Sequence, residues 1–258
     1  MKDKILIILL LLLVTVIQTT NADQSYLDNE IDYYADIFSI DNYKNHKAQF
    51  NNLESSGITS PKIYDQIAEK LNANIKVENK YEVRSMSLYA KILALSGNPK
   101  YEELLIKVNK KARSTKLRRH AKQSITQLEN YSKWNTVLSK GLNGATSENI
   151  NDLRLVNILS IYDKEFYKVV KANVVKVYKE KNFKPQILKA LVDRADYEMK
   201  RQSNIDTLHM DTLSWLVKTI GHSGDARYKP FLKKMLERSK VSKVRRHIRQ
   251  AVKAIPDA

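Results

Sequence analysis

The chain has 258 residues, with 45 lysines and arginines against 28 aspartates and glutamates, giving a formal net charge of +17. An apolar fraction of 43% excludes a disordered chain, while 6 Gly and 5 Pro are too few for turn-rich β-sandwiches, propellers, collagen-like repeats or phosphate-cradling loops. The absence of Cys excludes disulfide frameworks, thiolate metal sites, thiol nucleophiles and lipidation at an N-terminal cysteine.

Residues 1–22 open with the basic Met1-Lys2-Asp3-Lys4 and continue with 13 residues from Ile5 to Ile17, apolar but for Thr15. They end on the small residue Ala22. Spanning a membrane takes about 20 apolar residues. The segment therefore reads as a cleavable secretory signal, with cleavage expected after Ala22, and no other segment is apolar enough to cross a bilayer. Residues 23–42 are acidic and rich in Tyr, and their pattern fits either a capping helix or a frayed arm.

The remainder, 43–258, reads as a single helical-repeat domain that contains a copy of itself. A shift of 127 positions lays 91–128 on 218–255 and pairs Lys91 with Lys218, Gly97 with Gly224, Lys116 with Lys243, Arg118-Arg119-His120 with Arg245-Arg246-His247, and Gln123 with Gln250. A shift of 124 extends the match upstream, pairing Lys47 with Lys171 and Pro61 with Pro185. The change of three falls between Leu71 and Met86, as a loop insertion would. The copies are 44–130 and 168–257, joined by helices within 131–167.

Each copy reads as helices with punctuation. Ser60-Pro61 and Lys184-Pro185 place proline at a first helical position, and Ile63, Ile67 and Leu71 follow at helical spacing. Tyr81 to Leu95 and Ile205 to His222 are the next helices, ending before Gly97 and Gly224, which suit left-handed C-terminal caps. Asn98-Pro99 and Asp225-Ala226 open short helices, and Ser114-Thr115 and Val241-Ser242 open the last ones. Between the copies, Lys133 to Leu142 and Thr146 to Ile161 read as further helices, with Thr146 as a cap. The fold class is all-α, an α-solenoid of stacked antiparallel helix pairs with roughly 9–11 helices.

The stretches Leu93-Ala-Leu-Ser-Gly-Asn-Pro-Lys-Tyr…Leu117-Arg-Arg-His-Ala and Ile220-Gly-His-Ser-Gly-Asp-Ala-Arg-Tyr…Val244-Arg-Arg-His-Ile resemble bacterial HEAT-type repeats. The resemblance is close over these stretches, weaker through 44–90 and 168–217, and absent from the first 40 residues. It implies an armadillo-like scaffold of the sort used mostly to bind other macromolecules, although such folds also host a few enzymes.

Charge is concentrated in the repeated helix pair. Residues 100–122 hold 9 basic and 2 acidic groups, and 227–249 hold 10 and 1. On the last helix of each copy, Leu117, Ala121, Ser124 and Leu128 share one side, Arg119 and Lys122 lie opposite, and Arg118 sits at the flank; Arg245, Arg246 and Arg249 repeat the placement. One reading makes these solvated outer faces. The other makes them two electropositive patches that attract an acidic partner, with Arg118, Arg119, Lys122, Arg245, Arg246 and Arg249 as the binding candidates.

Other residues point to structure more than to chemistry. His120 and His247 flank the apolar stripe and suit packing, as do Tyr101 and Tyr228. Glu102 and Glu103 are adjacent on a helix and point apart, which is poor geometry for acid–base work. Neither Gly-x-Ser-x-Gly nor His-Glu-x-x-His occurs. Tyr162, Phe166 and Tyr167 could stack on bases, but helix-spaced aromatics usually build cores. The expectation is a non-enzymatic exported scaffold, periplasmic, that takes an acidic protein partner through a basic ridge and groove without cofactor or metal. No small-molecule substrate is evident. The alternative is a binder of an anionic polymer such as lipopolysaccharide, teichoic acid or nucleic acid, and an enzyme on the same scaffold is the third reading.

Overall fold

The computed structural model describes residues 26–201 and 206–256. The expected signal and its cleavage point lie outside the described residues. The protein is all-α: among the described residues there are twelve α-helices, four single 3₁₀ turns and no strand. The helices are α1 (Tyr26–Ser39), α2 (Tyr43–Ser56), α3 (Pro61–Ala73), α4 (Lys80–Leu95), α5 (Glu102–Lys111), α6 (Thr115–Leu138), α7 (Ile150–Leu159), α8 (Tyr167–Glu180), α9 (Pro185–Lys200), α10 (Thr207–His222), α11 (Lys229–Arg238) and α12 (Ser242–Ala254).

Twelve helices exceed the expected nine to eleven. The Tyr-rich segment accounts for one of them: α1 buries Tyr34, Ala35 and Phe38 at i, i+1 and i+4, a stripe that holds it against α3. Two boundaries also differ from expectation. No Gly or Pro interrupts 115–138, so α6 runs unbroken through residue 130, and Lys133 lies within it. Thr146 does not cap α7 with its side chain; its backbone N–H donates to Asn149 Oδ1 at 2.8 Å, and the helix begins at Ile150.

The boundaries of α2 recur in α8 124 residues on, and those of α4 and α5 recur in α10 and α11 127 residues on. Packing recurs with them. Helix α4 lies against α2, α3 and α6, and α10 lies against α8, α9 and α12 in the same way. Because each is enclosed by three neighbours, α4 and α10 are buried around much of their circumference rather than on one stripe. A continuous cluster of buried apolar side chains extends from Tyr34 to Ile255.

Local punctuation follows from residue chemistry. Asn98 Oδ1 accepts from Lys100 N and Asp225 Oδ1 from Arg227 N, so the turn after each central helix is closed by the same side-chain geometry. Gly97 and Gly224 precede these turns at φ 60° and 68°, a region where a Cβ would crowd the backbone.

Helix C-termini are closed by donors that come from later in the chain. Asn135 Nδ2 donates to Leu95 O and Ser96 O at 2.9 and 3.0 Å, at the end of α4. Arg154 Nε reaches Ser56 O at the end of α2, Asn157 Nδ2 reaches Leu138 O at the end of α6, and an Arg194 Nη reaches Leu159 O and Ile161 O beyond α7. The last carbonyls of a helix have no intrahelical partner, and buried ones need another donor.

Candidate functional site

The six predicted binding residues divide into two groups. Arg118 donates through one Nη to Ala112 O at 2.7 Å and Arg113 O at 2.9 Å, and through the other to Thr115 Oγ1 at 3.1 Å. Arg245 repeats this, donating to Leu236 O and Ser239 O, both at 2.8 Å. Both guanidinium groups close the end of the preceding helix, so Arg118 and Arg245, expected as binding residues, have a structural use.

Arg119, Lys122, Arg246 and Arg249 are exposed on the first turns of α6 and α12. None of the four makes an ion pair among the described residues. They form a cationic ridge that occurs once in each copy.

Beside the first ridge, helices α2, α4, α6 and α8 enclose a groove of about 350 Å³ whose charged lining is Lys47, Arg84, Lys91, Lys116 and Lys168, with His120 at the edge and Tyr43 and Phe50 along one wall. Burial, together with the charges of Lys168 and Lys116, holds the Lys91 ammonium below its ordinary pKa. Burial and then Lys91, Arg119 and Lys116 push His120 below its ordinary value too. The groove is hard to see in the sequence because its cations come from four separate helices and look in isolation like scattered surface lysines. A signal was present: Lys47, Lys91, Lys116 and His120 all recur at identical positions in the second copy.

A larger cavity, about 510 Å³, lies between α1, α2, α7 and α8 and is lined by Asn51, Asn52, Asn173 and the ion pair of Arg154 with Glu30. That pair is bidentate, at 2.9 and 2.5 Å, and ties α7 to α1.

A buried polar cluster sits elsewhere in the second copy. The Glu198 carboxylate lies 2.6 Å from the Tyr167 hydroxyl, 2.6 Å from Arg194 Nε and 2.9 Å from His209 Nε2. Arg194 is fully buried and stacks against the Tyr162 and Tyr167 rings. Burial alone would raise the Glu198 carboxyl, but its hydrogen bond with His209, the Arg194 charge and the Tyr167 hydroxyl outweigh that and hold its pKa below the ordinary value. With Arg194 and Glu198 sealed in the core, the cluster joins α8, α9 and α10 rather than facing a ligand. Among the described residues no group of three or more His, Asp or Glu side chains could hold a metal ion, and no helix is long and apolar enough to cross a membrane.

Comparison with protein-family models and with curated proteins found no match to this chain.

Proposed function

We propose that the chain is a non-enzymatic scaffold, a HEAT-like α-solenoid of two copies, exported to the periplasm by residues 1–22, that engages an acidic protein partner through its cationic ridges. One observation carries this reading: Arg119 and Lys122 in one copy, and Arg246 and Arg249 in the other, stand exposed at equivalent positions without a carboxylate partner among the described residues. Such charges cost the fold little and are available to a partner, whose approach they steer. Attraction of this kind weakens as salt shortens the screening length to about 8 Å at physiological ionic strength.

The test is chromatography on immobilised poly-glutamate. The wild type is expected to elute at higher salt than a variant in which Arg119, Lys122, Arg246 and Arg249 are all Gln. Equal elution of two folded proteins rejects the reading. Retention on heparin that is lost in the same variant, with no retention on poly-glutamate, moves the assignment to an anionic polymer.

A further inference from the structure

The duplication repeats the lining of the groove beside the first ridge on the α8, α10 and α12 face of the second copy, and the two versions differ in the partners their charged groups find. In the second version, Asp211 accepts from Lys171 Nζ at 3.0 Å and from Lys243 Nζ at 2.6 Å. Lys218 Nζ lies 4.2 Å from the centre of the Trp215 ring, Ser214 Oγ donates to Met210 O at 2.8 Å, and His247 Nδ1 lies 3.3 Å from Gln250 Oε1. Each of these repeated polar side chains has a partner in the second copy.

The first version has the same cations and lacks these partners. Arg84 stands where the second copy has Asp211, and Leu88 where it has Trp215. The equivalents Lys47, Lys116 and Lys91 therefore line the groove, exposed, without a bridging carboxylate or a ring, and Lys168 from α8 adds a further cation. Ser87, equivalent to Ser214, is only 3% exposed and its hydroxyl is closed off from the groove, so the cations are what the groove presents to a ligand. His120 is paired with Gln123 as His247 is with Gln250, so the histidines do not distinguish the two versions. Glu54, close enough to feel Lys91 and Lys168, is engaged by the Tyr131 hydroxyl at 3.1 Å.

We propose that the first groove is a binding site for a small polyphosphorylated anion, and that the second is the same groove closed by its own carboxylate, Asp211. A single carboxylate serves two lysines in the closed groove; the open one sets five cations around its cavity, which calls for more negative charge than one carboxylate carries. A phosphoryl group brings a charge of about −1.5 to −2 and three acceptor oxygens, and Arg84 offers the planar fork that suits them. The cavity of about 350 Å³ lies at the lower end of the range for small-molecule sites, about 300–1,000 Å³. Tyr43 and Phe50 give it one apolar wall, so the ligand is a compact molecule and not an extended chain. The proposal does not rest on the ridge reading, since the four ridge charges do not line the groove.

Titration calorimetry of the full chain with sodium tripolyphosphate at low salt tests it. One saturable equivalent is expected. Arg84→Asp supplies the carboxylate of the closed groove and is expected to weaken binding about tenfold or more. Its thermal unfolding midpoint should not fall. Lys76→Asp makes the same charge change outside the groove and is expected to leave the affinity within about twofold. Should Arg84→Asp fail to fold, Lys116→Gln removes one exposed groove cation and is expected to weaken binding likewise. Absence of saturable binding to the folded wild type overturns the proposal, as does an equal loss in the groove variant and in Lys76→Asp. Neither result bears on retention by poly-glutamate, so the two readings fail separately.

Discussion

Gly97 and Gly224 occupy the same place in the two copies with nearly the same backbone angles, φ 60° and 68°, yet substitution by Ala should affect them differently. At Gly224 a Cβ meets nothing within 4 Å, so Gly224→Ala adds only the cost of a left-handed conformation, about 1–2 kcal/mol. At Gly97 a Cβ would lie 2.5 Å from Ser132 N and 2.6 Å from Tyr131 C, both backbone atoms of α6. Relief requires α6 to move away from the end of α4, which strains the Asn135 amide bonds to Leu95 O and Ser96 O. Overpacking of this kind adds about 1–3 kcal/mol. The expected losses are therefore about 1–2 kcal/mol for Gly224→Ala and about 2–5 kcal/mol for Gly97→Ala. At about 2–4 °C per kcal/mol for a chain of this size, the unfolding midpoint of Gly97→Ala should lie several degrees below that of Gly224→Ala. Thermal unfolding followed by circular dichroism measures both. Midpoints that coincide would show that the close approach of α6 to the Gly97 turn is not maintained in solution, and the packing argument would fall.

Arg118→Ala should cost about 1–2 kcal/mol in stability, because two carbonyls at the end of α5 lose a charged donor, and Arg245→Ala should do the same at α11. Both variants should retain most of their salt-dependent retention on poly-glutamate; a large loss of retention with unchanged stability would return these arginines to the binding surface. Glu198→Gln should cost about 3–5 kcal/mol at neutral pH by leaving Arg194 buried without its partner. Since the folded-state pKa of Glu198 is depressed, its stabilising contribution is complete above the ordinary glutamate value of 4.5 and fades as pH falls through the depressed value. Denaturant titrations at several pH values should show the wild type converging on the variant in acid. A constant gap down to the acid unfolding limb would contradict the assignment.

Much of the helical order was legible because local chemistry and the repeat agreed. Asn98, Ser114 and Asp225 were read as helix or turn starts from residue type, and each side chain accepts the backbone N–H expected of it. The length of α6 is not legible from the repeat, because the internal match ends near residue 130 while the helix, which has no breaker there, runs on to Leu138. Arg194 and Glu198 escaped notice because an i, i+4 charge pair on a helix usually marks a solvated face. Their spacing held the information, since Ile187, Leu191, Arg194 and Glu198 continue one buried stripe of α9. The open groove was less legible still. Its meaning lies in substitutions between copies, Asp211 for Arg84 and Trp215 for Leu88, which become informative only once Lys171 and Lys243 are seen to converge on Asp211.

The donors that close the helix ends point backwards along the chain: Asn135 to α4, Arg154 to α2, Asn157 to α6, Arg194 to α7. While the polypeptide emerges from its amino end, an early helix thus lacks its final latch until a successor some dozens of residues downstream has docked. Until then those carbonyls have only water to bond, so each segment is sealed by one made after it. A nick between latch and target would loosen material on the older side of the cut as well as the newer.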